Sequence, residues 1–241
     1  MIRRINATNI GHREINERIR SDSGDVLLEG CLGQGFIGAG MNGLHIDIHG
    51  VPGNTLGGYL NGAQITVHGN AQDNVGDTMN DGKIVVHGNI GDAPGYAMRS
   101  GEIYVRDNAG YRAGIHMKEY RDKCPVMVIG GKAGSFLGEY QAGGIIIVLG
   151  LTKGDAPIIG NFPCTGMHGG KVFIRSDCSD IDFSNTVHAL PATAEDIKGI
   201  EPFLKEYCDL FACDLGHIEN SPFTVVVPNS KNPYKQMYVG N

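Results

Sequence analysis

The sequence has no tryptophan, and only 7% of its 241 residues are aromatic. A core built on large rings is therefore excluded, and small aliphatic side chains must fill the interior. Long apolar runs are missing too. The longest stretch of large aliphatics is Ile145 to Leu149, far short of the roughly 20 residues of a membrane-spanning helix. The N-terminal MIRRINATNIGHREINERIR holds no apolar signal core, and a cytoplasmic chain is expected. There is no excess of base. The net charge is −6, and the imbalance sits in residues 176–241, which hold 10 acidic and 4 basic side chains. Nucleic-acid binding has no electrostatic support. None of the six cysteines forms C-x-x-C, so a zinc or cluster set is not expected and the thiols read as free and structural.

Glycine is what the chain has in abundance. It holds 37, and 33 of them lie between Gly24 and Gly170. No G-X-Y triplet occurs, so the glycine serves something other than a triple helix. Aligning LHIDIHG (44–50), AQITVHG (63–69), GKIVVHG (82–88) and GEIYVRD (101–107) gives an offset of 19 each time. Ile46, Ile65, Ile84 and Ile103 form one column, and Ile48, Val67, Val86 and Val105 a second. The first column is extended back to Leu27 and on to Met127, Ile146 and Val172, with two insertions absorbed in loops. Gly38, Gly57, Gly76, Gly95 and Gly114 keep the same beat, continued by Gly138 and Gly160. Three residues after the first six of these come Met41, Leu60, Met79, Met98, Met117 and Gln141. A second glycine set, Gly43, Gly62, Gly82, Gly101, Gly144 and Gly170, closes each unit.

A 19-residue unit of short strands and glycine turns cannot bury a face alone, so neighbours must stack. The pattern predicts an all-β protein, a single-stranded right-handed parallel β-helix of about seven to eight coils. Residues 1–24 read as a lead-in with a short helix near Ile15–Arg20, 25–180 as the coil, and 181–241 as an acidic helical segment and extended tail. Together they make one structural domain. In the last part, Thr193 is the expected N-cap of a helical stretch over 193–213, divided by Pro202. The terminal segments are expected to cover the open ends of the coil.

Several motifs have plainer readings. Gly33–Gly38 spells GxGxxG, but poor helix material follows it and Gly38 belongs to the glycine column, so no dinucleotide site is expected. His49, His68 and His87 share a column that continues as Arg106, Gly130, Leu149 and Arg175. Equal steps along a rod do not converge as metal ligands must, so this reads as an outward polar column. Asn70, Asn89 and Asn108 read as a hydrogen-bonded ladder. Glu139 with Tyr140, and Asp155 near His168, are the conceivable acid–base pairs, but nothing in their spacing brings either together. No catalytic, cofactor-binding or metal-ligating residue is assigned.

The glycine phrases resemble the GXGXG domain of glutamate synthase, the C-terminal β-helix of its large subunit. Glu139, Tyr140, Gly143, Gly144, Leu149 and Gly150 match its E-Y-x-x-G-G run into an aliphatic strand. Asn161, Phe162, Gly166, Met167, Gly169 and Gly170 match its N-F-x-x-G-M-x-G-G run with one extra residue. The C subunit of formylmethanofuran dehydrogenase is similar in its coil. The resemblance implies a non-catalytic scaffold in a complex making two glutamates from glutamine, 2-oxoglutarate and reductant. Its partners would be a glutamine amidotransferase subunit and an FMN/iron–sulfur synthase subunit, with both cofactors on the partners and a homo-oligomer also open. A formylmethanofuran dehydrogenase scaffold and a β-helix enzyme acting on polysaccharide are the alternative readings.

Overall fold

A computed structural model describes residues 2–152, 154 and 156–229. The chain runs β1 (Arg3–Asn6), α1 (His12–Arg20), β2 (Val26–Leu32), β3 (His45–Val51), β4 (Asn61–Val67), β5 (Asp81–Val86) and β6 (Glu102–Val105). It continues with β7 (Val126–Ile129), β8 (Ala142–Val148), β9 (Gly169–Ile174), β10 (Val187–Pro191), α2 (Ala194–Phe211), α3 (Leu215–Glu219) and β11 (Thr224–Pro228). The 11 strands form one sheet in the order β1 to β9, then β11, then β10. Each neighbouring pair from β1 to β9 is parallel. This is a parallel β-helix with one strand of this sheet per coil, as the repeat demands.

The register follows the 19-residue beat. Ile46, Ile65, Ile84, Ile103, Met127, Ile146 and Val172 pair in succession, and all are fully buried. The backward extension needs correction. Val26, not Leu27, faces Ile46, and Leu27 faces Asp47. The first coil is one residue longer, and a register shift between Glu29 and Cys31 takes up the excess. Across the coil a second inward column runs through Ile90, Ala109, Ala133 and Ile159.

Each coil turns through a repeated corner in which alternate residues take positive φ. Phe36, Gly38 and Gly40 do so in the first coil, and Phe162, Cys164 and Gly166 in the last. The alternation lets amides point up and down the stack in turn. The Phe36 N–H donates to Asn54 O in the next coil, whereas the Gly57 N–H donates back to Ile37 O. The central position points inward. A Cβ on Gly38, Gly57 or Gly76 would lie 2.7, 2.6 or 2.5 Å from the tip of the next coil's isoleucine. The central column is continued after Gly138 by Cys164, which donates to Leu137 O, and not by Gly160, which bonds Ala133 O in a different column. Cys164 fits because the last coil has no further coil beyond it. Its burial pushes the thiol up to about 12. All six cysteines are free.

The ends are closed by different means. At the N-terminal end, α1 buries Ile15 and Ile19 on the first coil. Asn16 bonds both Phe36 O and the Gly38 N–H at 3.0 Å, and the Arg3 guanidinium caps carbonyls of the helix's last turn. At the other end, β11 runs antiparallel to β9, and β10 antiparallel to β11. The expected helical cover is corrected here. Helix α2 lies along the side of the rod, because Tyr104, Val128, Ile147 and Phe173 form an apolar outer face that would otherwise meet solvent. Ile200, Leu204, Tyr207 and Cys208 cover it. The division at Pro202 is also corrected, since α2 continues through it. Pro202 is exposed, so the carbonyl that loses its partner can turn to water, while a capping box at Thr193 and the buried face hold the helix together. The tail beyond Asn229 lies outside the described residues.

Polar clamps reinforce the docking of α2. Lys171 pairs with Asp196 at 2.9 Å, Lys83 bonds Glu206, and the Tyr207 hydroxyl donates to Arg106 O at 3.0 Å. The Lys171 hydrogen bond is the main reason the Asp196 carboxyl titrates below its ordinary 3.8. Burial pulls Lys83 down, but Glu206 and Glu102 together carry it above its ordinary 10.5. The depressed carboxyl stabilises the fold above its unfolded value, and that contribution disappears as pH falls through the lower folded value. The raised amine stabilises below its unfolded value and is lost as pH rises through the folded one. These two contributions should therefore be fully present from about pH 5 to 9 and fade on either side. In Lys171→Ala the acid-side slope should be shallower. An unchanged slope, read by circular dichroism melts at pH 3 to 5, would remove Asp196 as a contributor.

Candidate interaction surface

The corners stack into a ridge along the side of the coil, and the ridge is unusually aromatic. Phe36, Tyr59, Phe136, Tyr140 and Phe162 all occupy corner positions with φ between 53° and 63°. A bulky residue in this region is disfavoured by about 1–2 kcal/mol. Four of the five are nonetheless exposed, Phe162 at 63% and Tyr59 at 59%. Neighbouring rings extend the patch: His116 stacks on Tyr140 at 5.3 Å, and Phe136 on Phe162 at 5.4 Å. The Arg112 guanidinium lies over Phe136 at 4.8 Å. Farther along, Tyr59, Asn80, Arg99, Tyr120 and Lys123 line a shallow groove. Tyrosine and arginine are the side chains most often found at energetic centres of interfaces.

The acidic groups of the ridge are engaged. Glu139 receives the Arg112 Nε–H at 3.0 Å, while Tyr140 turns to His116, so the two do not act as a pair. Asp81 accepts from Lys123, which is the chief reason its carboxyl titrates below the ordinary range. Asp73 and Asp92 accept the backbone N–H groups of Asp92 and Tyr111 at 2.9 and 2.8 Å. With Asn54 they form an unanticipated ladder at the same 19-residue spacing. The asparagine ladder is as expected: Asn70 accepts from the Asn89 backbone, and Asn89 from both the backbone and side-chain N–H of Asn108. Asp155 lies outside the described residues, so its pairing with His168 has no geometry. No helix follows Gly33–Gly38; the chain makes the corner and then enters β3.

The histidine column faces outward as predicted. His49 and His68 ring centroids are 4.5 Å apart, and His68 and His87 are 5.4 Å apart and stacked. Farther along, α2 takes over the column. His87 meets Phe211 edge-on at 5.1 Å, and burial, then His68 and Arg106, lower its pKa. At Gly130 the Tyr207 ring occupies the space a side chain would need. Asp47, two residues before His49, accepts a 2.6 Å bond from His68 Nε2 if that nitrogen is protonated. The ligand-capable atoms of Asp47, His49 and His68 all lie within 4.8 Å of one another. This is the one such group among the described residues.

A family model described as the GXGXG motif matches residues 14–220. The chain belongs to the GXGXG motif family. The resemblance drawn from the glycine phrases is thereby upheld at the level of the family, and the corner geometry explains the motif: alternate positions need positive φ, which glycine adopts without strain. An uncharacterized protein of Methanocaldococcus jannaschii is 42% identical over 248 residues, spanning 97% of this GXGXG chain and 95% of that protein. Among solved structures, a chain of the formyltransferase/hydrolase complex of Methylorubrum extorquens, solved with methylofuran, aligns with a TM-score of 0.67. It covers 92% of this chain and 89% of its own at 18% identity, a likeness of fold. Among the described residues, no helix is long and apolar enough to cross a membrane.

Proposed function

We propose that this GXGXG protein is a non-catalytic scaffold subunit of a glutamate synthase-type complex. It would hold a glutamine amidotransferase subunit and an FMN/iron–sulfur synthase subunit at a fixed separation, both cofactors residing on those partners. Family membership supports the kind of complex. The single observation that carries the scaffold role is the ridge: four exposed aromatic rings kept on backbone that disfavours them. Such strain is retained where a surface has work to do, and clustered rings such as Phe162 on Phe136 and Tyr140 on His116 mark sites of protein contact.

Asparagine tolerates positive φ better than phenylalanine or tyrosine. The double variant Tyr59→Asn, Phe162→Asn should therefore melt within about 2 °C of the parent or slightly above it. In affinity purification from the source organism, the parent chain should bring down an amidotransferase and a flavoprotein, and the variant at least tenfold less. Purified alone, the chain should carry no flavin. Stoichiometric FMN on the isolated chain, or undiminished capture by the variant, would count against this reading.

A second reading rests on the structural neighbour. That chain sits within a multi-subunit formyltransferase/hydrolase complex, which supports a scaffold in formylmethanofuran chemistry. Recovery of molybdopterin-containing partners in the same purification selects it.

A further inference from the structure

The geometry points to a divalent metal site on the outer face of the coil, built from Asp47, His49 and His68. The histidine column by itself is straight and cannot converge on an ion. Asp47 lies in the adjacent outward column, and adding it turns a line into a triangle. Strand alternation puts Asp47 and His49 on the same face of β3. His68 follows β4 directly, and its N–H donates to Ile48 O, which sets it beside His49. Three ligand atoms within 4.8 Å of one another need only small side-chain rotations to reach zinc at bond lengths of about 2.0–2.2 Å.

The side chains have room for those rotations. Asp47 and His68 are each 39% exposed, and the cover of α2 stops short of them, reaching only His87 through Phe211. The backbone beneath is the hydrogen-bonded ladder itself, so the ligands stand on a rigid base. In the metal-free protein the 2.6 Å contact between Asp47 Oδ1 and His68 Nε2 holds two of the three donors facing each other. Metal takes the place of the proton on His68 Nε2, and the neutral ring carries its N–H on Nδ1 instead. Two imidazoles and one carboxylate suit zinc and its borderline neighbours. With three protein ligands on an exposed face, at least one coordination position stays open to water or to an exogenous donor.

The test uses the full chain without an affinity tag and Zn²⁺ alone, by isothermal titration at pH 7.5. The parent should bind one zinc per chain with a dissociation constant of about 1 μM. His49→Ala, His68→Ala and Asp47→Asn should each weaken binding tenfold or more, while His188→Gln, on β10, should not. Zinc in excess should raise the parent's Tm by roughly 5 °C and leave that of His68→Ala unchanged. Absence of binding at 100 μM zinc, about a hundred times that constant, would overturn the site. So would affinity equal to the parent's in the His49→Ala and His68→Ala proteins.

Discussion

Gly130→Ala should detach helix α2 and lower stability by about 3 kcal/mol, or roughly 10 °C in Tm. The position belongs to the outward column that begins with His49, His68, His87 and Arg106. A Cβ there would overlap the Tyr207 hydroxyl and the Arg106 carbonyl oxygen. The first is the ring that α2 inserts against the sheet. The second is both the acceptor of the Tyr207 hydrogen bond and part of the preceding coil. Relief requires either the ring to leave, exposing Val128, Ile147 and Leu149, or the coils to separate. The control is the same substitution at Gly199, on the exposed side of α2, where a Cβ meets nothing within 4 Å. Gly199→Ala should add about 0.5–1 kcal/mol through helix propensity. One chemical change thus has opposite signs at two glycines. If Gly130→Ala melts with the parent, the packing of α2 described above is wrong.

Gly76→Val should be nearly as damaging. Its φ of +69° is hostile to a β-branched side chain, at a cost above about 1–2 kcal/mol. The added atoms also point into the core, where Ile103 Cδ1 would lie 2.5 Å and Ile84 Cδ1 3.5 Å from the new Cβ. Overpacking adds about 1–3 kcal/mol. Asp73→Ala, three residues earlier in the same coil, removes one ladder bond to the Asp92 N–H and should cost about 1 kcal/mol. Calorimetry of the two variants should separate their Tm values by roughly 5 °C or more. Coincident melts would refute the inward assignment of the glycine column.

The interior was readable because every coil presents the same environment to the same position. Ile46 through Val172 can be placed from spacing alone, and so can the methionines at 41, 79, 98 and 117. Reading failed where a coil differs from its neighbours. The first coil is one residue longer, so Val26 takes the place expected for Leu27. The last coil lacks a successor, so Cys164 stands where glycine was sought. The location of α2 was missed because an end and a side both need apolar cover. Only the outward column of Tyr104, Val128, Ile147 and Phe173, taken together, says which needs it more. The corner aromatics were hidden for another reason. Positive φ is read from glycine, and nothing in the composition marks Phe36 or Tyr140 as strained. The Asn54, Asp73 and Asp92 ladder had its 19-residue signal, but two residue types share the column. Asp47 falls in the column beside the histidines, so the 19-residue period does not link it to them.

The repeat has a consequence for size. Inserting or deleting one 19-residue unit would change the distance between the α1 end and the β10–β11 end by about 4.8 Å. The lateral faces would keep their composition. Such a body is a gauge block, graduated in steps of one strand, whose length can change without redesign of either end.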